Sequence, residues 1–444
     1  MEEIQQQAAQ DVTQLLASIF AGARKSGGLD LEAVEMLVRN AVHGLGAHLL
    51  ERLLHQHAAA ATSPCSCGQP AHYYDRRERQ LRTALGKVKF ERAYYVCPHC
   101  GEGHSPRDRE LNIEGQSCSP GVRRMLATVG SDASFEKGRD QMELLAGIEV
   151  TAKAVERHAE AVGAAIEARA QTEIKRAKQL DLPAVAAPAV PVLYIEMDGT
   201  AVPVVRAETA GRAGKNGEAR TREVKLGCVF TQTTKDEEGR AVRDESSTTY
   251  VGAVEGAEPF GLRLYTEAWR RGWSRADKKV ILADGAVWIW NLAQQHFPGA
   301  IEIVDLYHAR QHLHELCAKL LPQEEKLRKR LLARCLDRLD KGKIEALVKL
   351  IRQLPTASEE LRQLRATEAE YFTRNRERMR YPAFRAQGLF VGSGVIEAAC
   401  HSVVAQRLKQ SGMFWTTRGA NSILALRCCR LNRRFEDYWA DRAA

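Results

Sequence analysis

The sequence predicts an α+β protein of several domains: a helical N-terminus, a cysteine-bracketed hairpin, a helix-turn-helix region, and an α/β domain with a helical insertion. Three observations predict this. The 444 residues make roughly three domains at about 150 residues each. A composition 44% apolar and 27% charged excludes a disordered polymer. Residues 182–191 carry three prolines, which forbid a helix and favour an extended spacer between a helix-rich half and a strand-rich one.

Residues 1–60 read as helices. Leu15, Leu16 and Ile19, then Val34, Leu37, Val38 and Val42, then Leu49, Leu50, Leu53 and Leu54 recur at helical spacing. Gly27-Gly28 parts the first helix from the second, and Asp30 is its expected N-cap. The segment carries no evident chemistry and reads as a packing or oligomerisation element.

Residues 61–112 change character. Cys65-Ser66-Cys67-Gly68 and Cys97-Pro98-His99-Cys100-Gly101 flank an expected hairpin with a turn at Gly86. Its second arm alternates, with Val88, Phe90 and Tyr94 on one face and Lys87, Lys89 and Glu91 on the other. Two short-spaced cysteine pairs around a hairpin resemble a zinc ribbon, because tetrahedral Zn²⁺ takes four such ligands. Cys65, Cys67, Cys97 and Cys100 are the candidate ligands, with His72, His99 or His104 as substitutes for one thiolate. A metal-free hairpin is the alternative.

Residues 113–181 read as helical. Ser134 is expected to cap a helix carrying Phe135, Met142 and Leu145. After the turn Gly147-Ile148-Glu149-Val150, Thr151 caps a helix with Val155, Val162 and Ile166 inward. Two helices with a tight glycine joint fit a DNA-reading helix-turn-helix. Its reading helix offers Lys153, Arg157 and His158, although Glu156 and Glu160 would repel phosphates. Plain helical packing is the competing reading.

Beyond the 182–191 linker, residues 192–197, 225–233 and 248–254 read as strands, 260–271 as an amphipathic helix and 279–283 as a buried strand. A helix through Trp288, Trp290 and Leu292 and a strand at 300–304 complete the series β-β-β-α-β-α-β. Asp198, Asp284 and Asp305 each end a strand of it, where ligand sites of α/β sheets gather. Glu397 opens a late helix after Val391-Gly392-Ser393-Gly394-Val395-Ile396. Such carboxylates suit Mg²⁺, which takes oxygen ligands. Taken singly, Asp-Gly after a strand is a turn and a first-turn acid complements the helix dipole. Asp305, His308 and His312 share one helical face, either as metal ligands or as a local pairing that orients the helix or contacts DNA. Trp288, Trp290 and Trp415 are expected in the core, Trp415 with the further option of stacking on a base.

Sixty-five Lys and Arg against fifty-six acids give a net charge of +9. Residues 374–434 hold twelve of the cations and two of the acids, a local excess of +10 that leaves the rest near neutral. That tract reads as a polyanion-binding surface, with Arg407, Lys409, Arg418, Arg430, Arg433 and Arg434 as candidate phosphate contacts. The opening Met1-Glu2-Glu3-Ile4-Gln5 lacks signal-peptide character, and no run of 18 apolar residues occurs. With eleven cysteines, an odd number, and no signal peptide, a reducing cytoplasm is expected.

The order of elements resembles the RNase H-like fold of DDE transposases, and more narrowly the bacterial insertion-sequence transposases of the ISKra type. The resemblance rests on Glu196-Met197-Asp198-Gly199-Thr200, Ala283-Asp284-Gly285-Ala286, Asp305-Leu306-Tyr307-His308-Ala309-Arg310 and Gly392-Ser393-Gly394-Val395-Ile396-Glu397. It implies Asp198, Asp284 and Glu397 as a catalytic triad binding Mg²⁺ or Mn²⁺, with Asp305 and His308 accessory. It implies a catalytic domain at 192–308 and 386–425, a helical insertion at 309–385 and a C-terminal tail at 426–444. The implied activity is cutting DNA at the ends of an insertion sequence and transferring the freed 3′-OH ends to target DNA by two-metal phosphodiester chemistry. Partners would be double-stranded DNA, as terminal inverted repeats and target, and further copies of the chain. The alternative is a transposase-derived DNA-binding protein with an inactive nuclease domain. Met197-Asp198-Gly199-Thr200 also echoes the haloacid-dehalogenase phosphatases, but there the nucleophile's position is Glu196 here, and the longer side chain would misplace the attacking oxygen.

Overall fold

The computed structural model describes residues 30–55, 59–182, 189–214 and 217–443, with the isolated positions 13 and 17. The expected helix at Leu15, Leu16 and Ile19, the Gly27-Gly28 break and most of the proline-rich linker lie outside the described residues. The protein is α+β and divides into two compact units, Met1–Ala159 and Glu160–Ala444. The division falls inside a 27-residue helix, Ala152–Lys178, rather than at the linker. Among the described residues, no helix is long and apolar enough to cross a membrane.

In the first unit, helix α1 (Leu31–His55) begins at Asp30, whose Oδ1 accepts the Glu32 N–H at 3.1 Å as expected of an N-cap. A four-stranded antiparallel sheet follows in the order β1 (Thr62–Pro64), β2 (Pro70–Thr83), β3 (Gly86–Val96) and β4 (Gly103–His104). Opposite faces of the β2–β3 hairpin are buried at its two ends. Near the turn, Phe90 packs with Leu81, Ile113 and Leu54. Near the cysteines the parity reverses, and Ala93, Tyr95 and Cys97 are buried with Ala71 and Cys65. Tyr95 is therefore the core tyrosine, while Tyr94 lies half-buried under the Arg77 guanidinium at 3.5 Å.

Helices α2 (Pro120–Asp132), α3 (Phe135–Ala146) and the start of α4 (Ala152–Lys178) enclose Val122, Leu126, Met142, Ile148 and Val155. Ser134 Oγ accepts the Lys137 N–H at 3.3 Å, and Thr151 Oγ1 accepts the Ala154 N–H at 3.1 Å, so both expected caps are present. Gly147 ends α3 at φ +66, a left-handed conformation that favours glycine. Leu145 is not a core residue, since it lies 73% exposed.

The second unit is built on a five-stranded sheet ordered β7-β6-β5-β8-β9, from β5 (Val192–Pro203), β6 (Thr221–Gln232), β7 (Thr249–Ala253), β8 (Lys278–Ala283) and β9 (Ile301–Val304). β5, β6 and β7 are antiparallel neighbours, whereas β8 runs parallel to both β5 and β9. Helices α5 (Ala257–Arg270) and α6 (Val287–His296) make the crossovers on either side of β8, as parallel strands require. Their apolar faces, Phe260, Leu264, Ile289 and Leu292, are buried with the sheet residues Leu193, Ile195, Val280 and Ile281.

After β9 the chain is helical. α7 (Leu306–Leu320), α8 (Glu325–Asp340), α9 (Ile344–Arg352) and α10 (Glu359–Arg374) span the segment expected as an insertion. α11 (Gly394–Ala399) continues through a π-helical turn, Cys400–Ala405, before α12 (Thr417–Leu431) and α13 (Phe435–Ala443). Residues 426–444 are not a tail in the structural sense. Leu426, Cys428, Phe435 and Tyr438 are buried, because α12 is enclosed on nearly all sides and α13 packs one face inward.

Candidate active site and metal centre

The cysteine cluster assembles at the open end of the hairpin. Turns at Gly68 and Gly101, both with positive φ, fold each pair back so that Gly68 N–H reaches Cys65 O and Gly101 N–H reaches Cys97 O. One ligand atom from each of Cys65, Cys67, Cys97 and Cys100 lies within 4.8 Å of all the others. Cys65 Sγ stands 3.6 Å from Cys100 Sγ, and Cys67 Sγ 3.6 Å from Cys97 Sγ. Zn–S bonds of about 2.3 Å in a tetrahedron place the sulfurs about 3.8 Å apart, so the donors fit a metal such as zinc. Backbone N–H groups of Cys100 and His99 hold the Cys97 thiol down to about 6, which favours the thiolate a metal needs. His72, His99 and His104 stand outside this set, and His104 Nε2 instead pairs with Ser63 Oγ at 3.2 Å.

The acids of the second unit lie on and beside the central strands of the sheet. β5 pairs with β8 up to Glu196↔Leu282, so Asp198 and Asp284 fall at matched positions two residues further on. Asp284 follows the end of β8 as expected. Asp198 does not end its strand, because β5 continues to Pro203 against its antiparallel partner β6. Gly199 N–H donates to Asp198 Oδ1 at 2.6 Å, and Cys400 Sγ lies 3.5 Å from Asp198 Oδ2. Burial pushes the Asp198 carboxyl above the ordinary carboxylate range; Gly199 N–H opposes this, and the nearby Asp284 charge adds to it. Asp284 Oδ1 accepts the Ala286 N–H at 2.9 Å, closing the turn that leads to α6.

Glu397 is brought in by two buried carboxyls. Glu196, fully buried, accepts the Ile396 N–H at 2.8 Å. Asp305 caps α7 by accepting the His308 N–H at 2.6 Å, while its other oxygen accepts Ser393 Oγ–H at 2.6 Å and the Ser393 N–H. One Asp305 oxygen thus caps α7 and the other holds the glycine loop before α11, so Asp305 clamps that loop to the start of α7. Tyr307 packs over Gly392, where an added Cβ would meet Tyr307 Cε2 at 2.7 Å. Glu397 itself is exposed on a cleft of about 750 Å³ that Arg240, Tyr307 and Arg385 also line. Among the described residues the cysteines are the one set of three or more such donors meeting within 4.8 Å, so Asp198, Asp284 and Glu397 are more widely spaced.

The model of an uncharacterised protein family, UPF0236, matches residues 24–436. The chain belongs to UPF0236. No curated protein matches it.

In this UPF0236 chain the basic tract is only partly a surface. Arg407 is fully buried, with its guanidinium 5.0 Å from the Trp415 ring, so it is a core cation and not a phosphate contact. Trp415 is also core, its Nε1 donating to Leu408 O at 3.1 Å. Arg434 forks onto the buried Glu267 with two bonds of 2.7 Å, which removes it from the phosphate contacts as well. Arg430 is half-buried beside Phe435. Lys409, Arg418 and Arg433 remain exposed, Lys409 Nζ donating to Thr200 Oγ1 at 2.6 Å near Asp198. On α4, Lys153 and Arg157 are exposed, Lys153 pairing with Glu156 at 2.8 Å. His158 is buried instead, and burial with the charges of Arg157 and Arg123 lowers it to about 4. His308 lies near enough to act on Asp198, whereas His312 Nδ1 turns to Glu368 Oε2 at 2.9 Å.

Three features escaped the sequence reading. The burial of Glu196 was signalled by its place inside an apolar run, 192–197. Cys400 follows Glu397 by three residues, one helical turn, which places the two on one face. Tyr371, from α10, had no local signal at all.

Proposed function

We propose that the chain is a DNA transposase of the DDE type, with an RNase H-like catalytic domain and Asp198, Asp284 and Glu397 as its catalytic acids. The observation that carries this reading is that Asp198 and Asp284 each lie two residues beyond Glu196↔Leu282, the last registered pair of adjacent parallel strands, beside a helix bearing Glu397 that Glu196 and Asp305 hold in place. The strand order, with three antiparallel strands followed by two parallel ones across the centre, supports an RNase H-like assignment.

Carboxylate oxygens are the donors that hard divalent cations take, and the committed oxygens of Asp198 and Asp284 leave one on each side chain free of backbone bonds. Mg²⁺ or Mn²⁺ held by these three residues would supply Lewis-acid activation of water or a 3′-OH for attack on a phosphodiester. The protein's own part is to fix the carboxylates, to exclude bulk water with the buried sheet end, and to guide DNA. Lys409, Arg418 and Arg433 serve the last role in the second unit, and Lys153 and Arg157 on a helix-turn-helix serve it in the first. The cleft beside Glu397 offers Arg240, Arg385 and the exposed Tyr307 to the same strand. The cysteine centre is proposed as a structural Zn²⁺ site of a zinc-ribbon-like module.

Incubation of the purified chain with Mg²⁺ and duplexes carrying the inverted repeats that flank its gene tests the reading. Strand cleavage that leaves a 3′-OH, lost in Asp198→Asn, Asp284→Asn and Glu397→Gln proteins of wild-type fold, is the expected result. Binding of those duplexes with no cleavage under any divalent cation would assign the chain to the inactive, DNA-binding alternative.

A further inference from the structure

The insertion delivers a tyrosine to the Asp284 turn. Tyr371, on α10, is only 9% exposed, and its hydroxyl has no hydrogen-bond partner among the described residues. Its ring is stacked on His312, with centroids 4.0 Å apart and planes within 16°. His312 is in turn anchored by Glu368 at 2.9 Å. The hydroxyl end of this stack reaches Gly285: a Cβ at that position would fall 2.8 Å from Tyr371 Oη and closer still to the ring. Gly285 also has φ +96, so glycine is required there twice over.

A buried hydroxyl in a native protein ordinarily finds an acceptor. Three acidic groups act on Tyr371: Asp284, Glu368 and Asp305. Glu368 is engaged by His312, and both Asp305 oxygens are taken by His308 and Ser393. Asp284 has Oδ1 on the Ala286 N–H and its second oxygen available. We propose that Tyr371 is a positioning residue for the cation site, its Oη–H donating to Asp284 Oδ2 when that carboxylate holds a divalent cation. The inference rests on the reading of Asp284 as a cation ligand. It gives the helical insertion a chemical task, since outer hydrogen-bond donors fix the orientation and basicity of ligating carboxylates.

Mn²⁺ binding to the full-length chain, followed by the loss of the free-ion electron paramagnetic resonance signal, tests this without any assay of activity. Tyr371→Phe keeps the ring and its stack on His312 and removes the hydroxyl alone. Its Mn²⁺ affinity should fall about 10–100-fold, the usual effect of removing an outer-shell partner. Its metal-free melting temperature should equal or exceed that of the wild type, because the deleted hydroxyl has no bond among the described residues to lose. Asp284→Asn should lose binding at this site. Unchanged affinity in Tyr371→Phe beside lost affinity in Asp284→Asn would overturn the tyrosine's role and leave the site standing. A lowered metal-free melting temperature in Tyr371→Phe would also overturn that role, marking the hydroxyl as structural. Unchanged affinity in Asp284→Asn would instead overturn the cation site beneath it.

Discussion

The carboxyl of Glu196 and the backbone N–H of Ile396 meet at 2.8 Å across a sequence separation of 200 residues, joining the strand that bears Asp198 to the helix that bears Glu397. Glu196 is fully buried, and burial raises its carboxyl well above the ordinary carboxylate range. The carboxyl shares this first-turn N–H with Ser393 O, which stands 3.1 Å from Ile396 N, so the N–H is bonded both within the loop and to the sheet.

The Glu196–Ile396 bond should be separable from side-chain volume by two substitutions. Glu196→Gln retains an oxygen acceptor of nearly the same shape and should fold with stability close to wild type. Glu196→Ala removes the sheet partner of the Ile396 N–H, which keeps only Ser393 O, and should cost about 0.5–1.5 kcal/mol for the lost bond, with a further cavity cost. Urea denaturation of the two proteins measures the difference. Equal stability in Gln and Ala variants would show that the bond is not what fastens α11 to the sheet.

The cysteine centre should carry near one zinc per chain by metal analysis. Cys97→Ala/Cys100→Ala should remove it, since each pair contributes half of the tetrahedron. Chelation of the wild-type chain should unfold the hairpin end, because metal binding by such a module is part of its folding free energy. Zinc retained in the double variant would overturn the assignment.

How far all this could be read from the sequence depends on the kind of signal. Apolar runs and alternation announce themselves locally, which is why the strands expected at 279–283 and 300–304, the start of the one at 192 and the caps at Asp30, Ser134 and Thr151 stood within a residue of their expected places. The cysteine spacing needed no long-range knowledge either. Asp198 as a strand end did not survive, because the extent of β5 is set by its partner β6 and not by its own residues. Arg407 and Arg434 read as surface cations because charge in a sequence carries no record of burial. Their partners, Trp415 and Glu267, are supplied by tertiary folding. Leu145 shows the converse, an apolar residue at helical spacing that faces solvent.

His158 predicts a pH dependence of the first unit's stability. Burial holds its folded-state pKa at about 4, below the ordinary value of about 6.5. A depressed folded pKa means that the unfolded chain binds the proton first, so stability is fully present above about pH 6.5 and is lost as pH falls toward 4. The loss is on the order of 1–3 kcal/mol. Denaturation midpoints of wild type and His158→Gln, measured between pH 7 and pH 4, check it. The variant should show a flatter profile over that window, and parallel profiles would remove His158 as the cause.

The basic tract should separate into two classes of arginine and lysine that the sequence makes look alike. Arg434 is bound by two 2.7 Å hydrogen bonds to Glu267, whose side chain is only 2% exposed and keeps Arg270 as its other cation at 3.0 Å. Arg434→Ala leaves a buried carboxylate short of its main partner, a change that costs about 3–5 kcal/mol when no second cation remains. With Arg270 in place, the loss should sit at the lower end of that range and appear as a fall in the denaturation midpoint. Arg407→Met, which empties the position over the Trp415 ring of its charge while filling the volume, should likewise act on stability. Neither should alter how DNA affinity depends on salt. Lys409→Gln, Arg418→Gln and Arg433→Gln change exposed side chains and should leave the midpoint within about 0.5 kcal/mol. If these three touch phosphates, each removal should flatten the slope of log K against log salt by about 0.9. Affinity measured over a salt series on the same duplex gives the slopes directly. A slope that Lys409→Gln leaves untouched while Arg434→Ala reduces it would reverse the assignment, placing DNA on the face that the structure gives to the core.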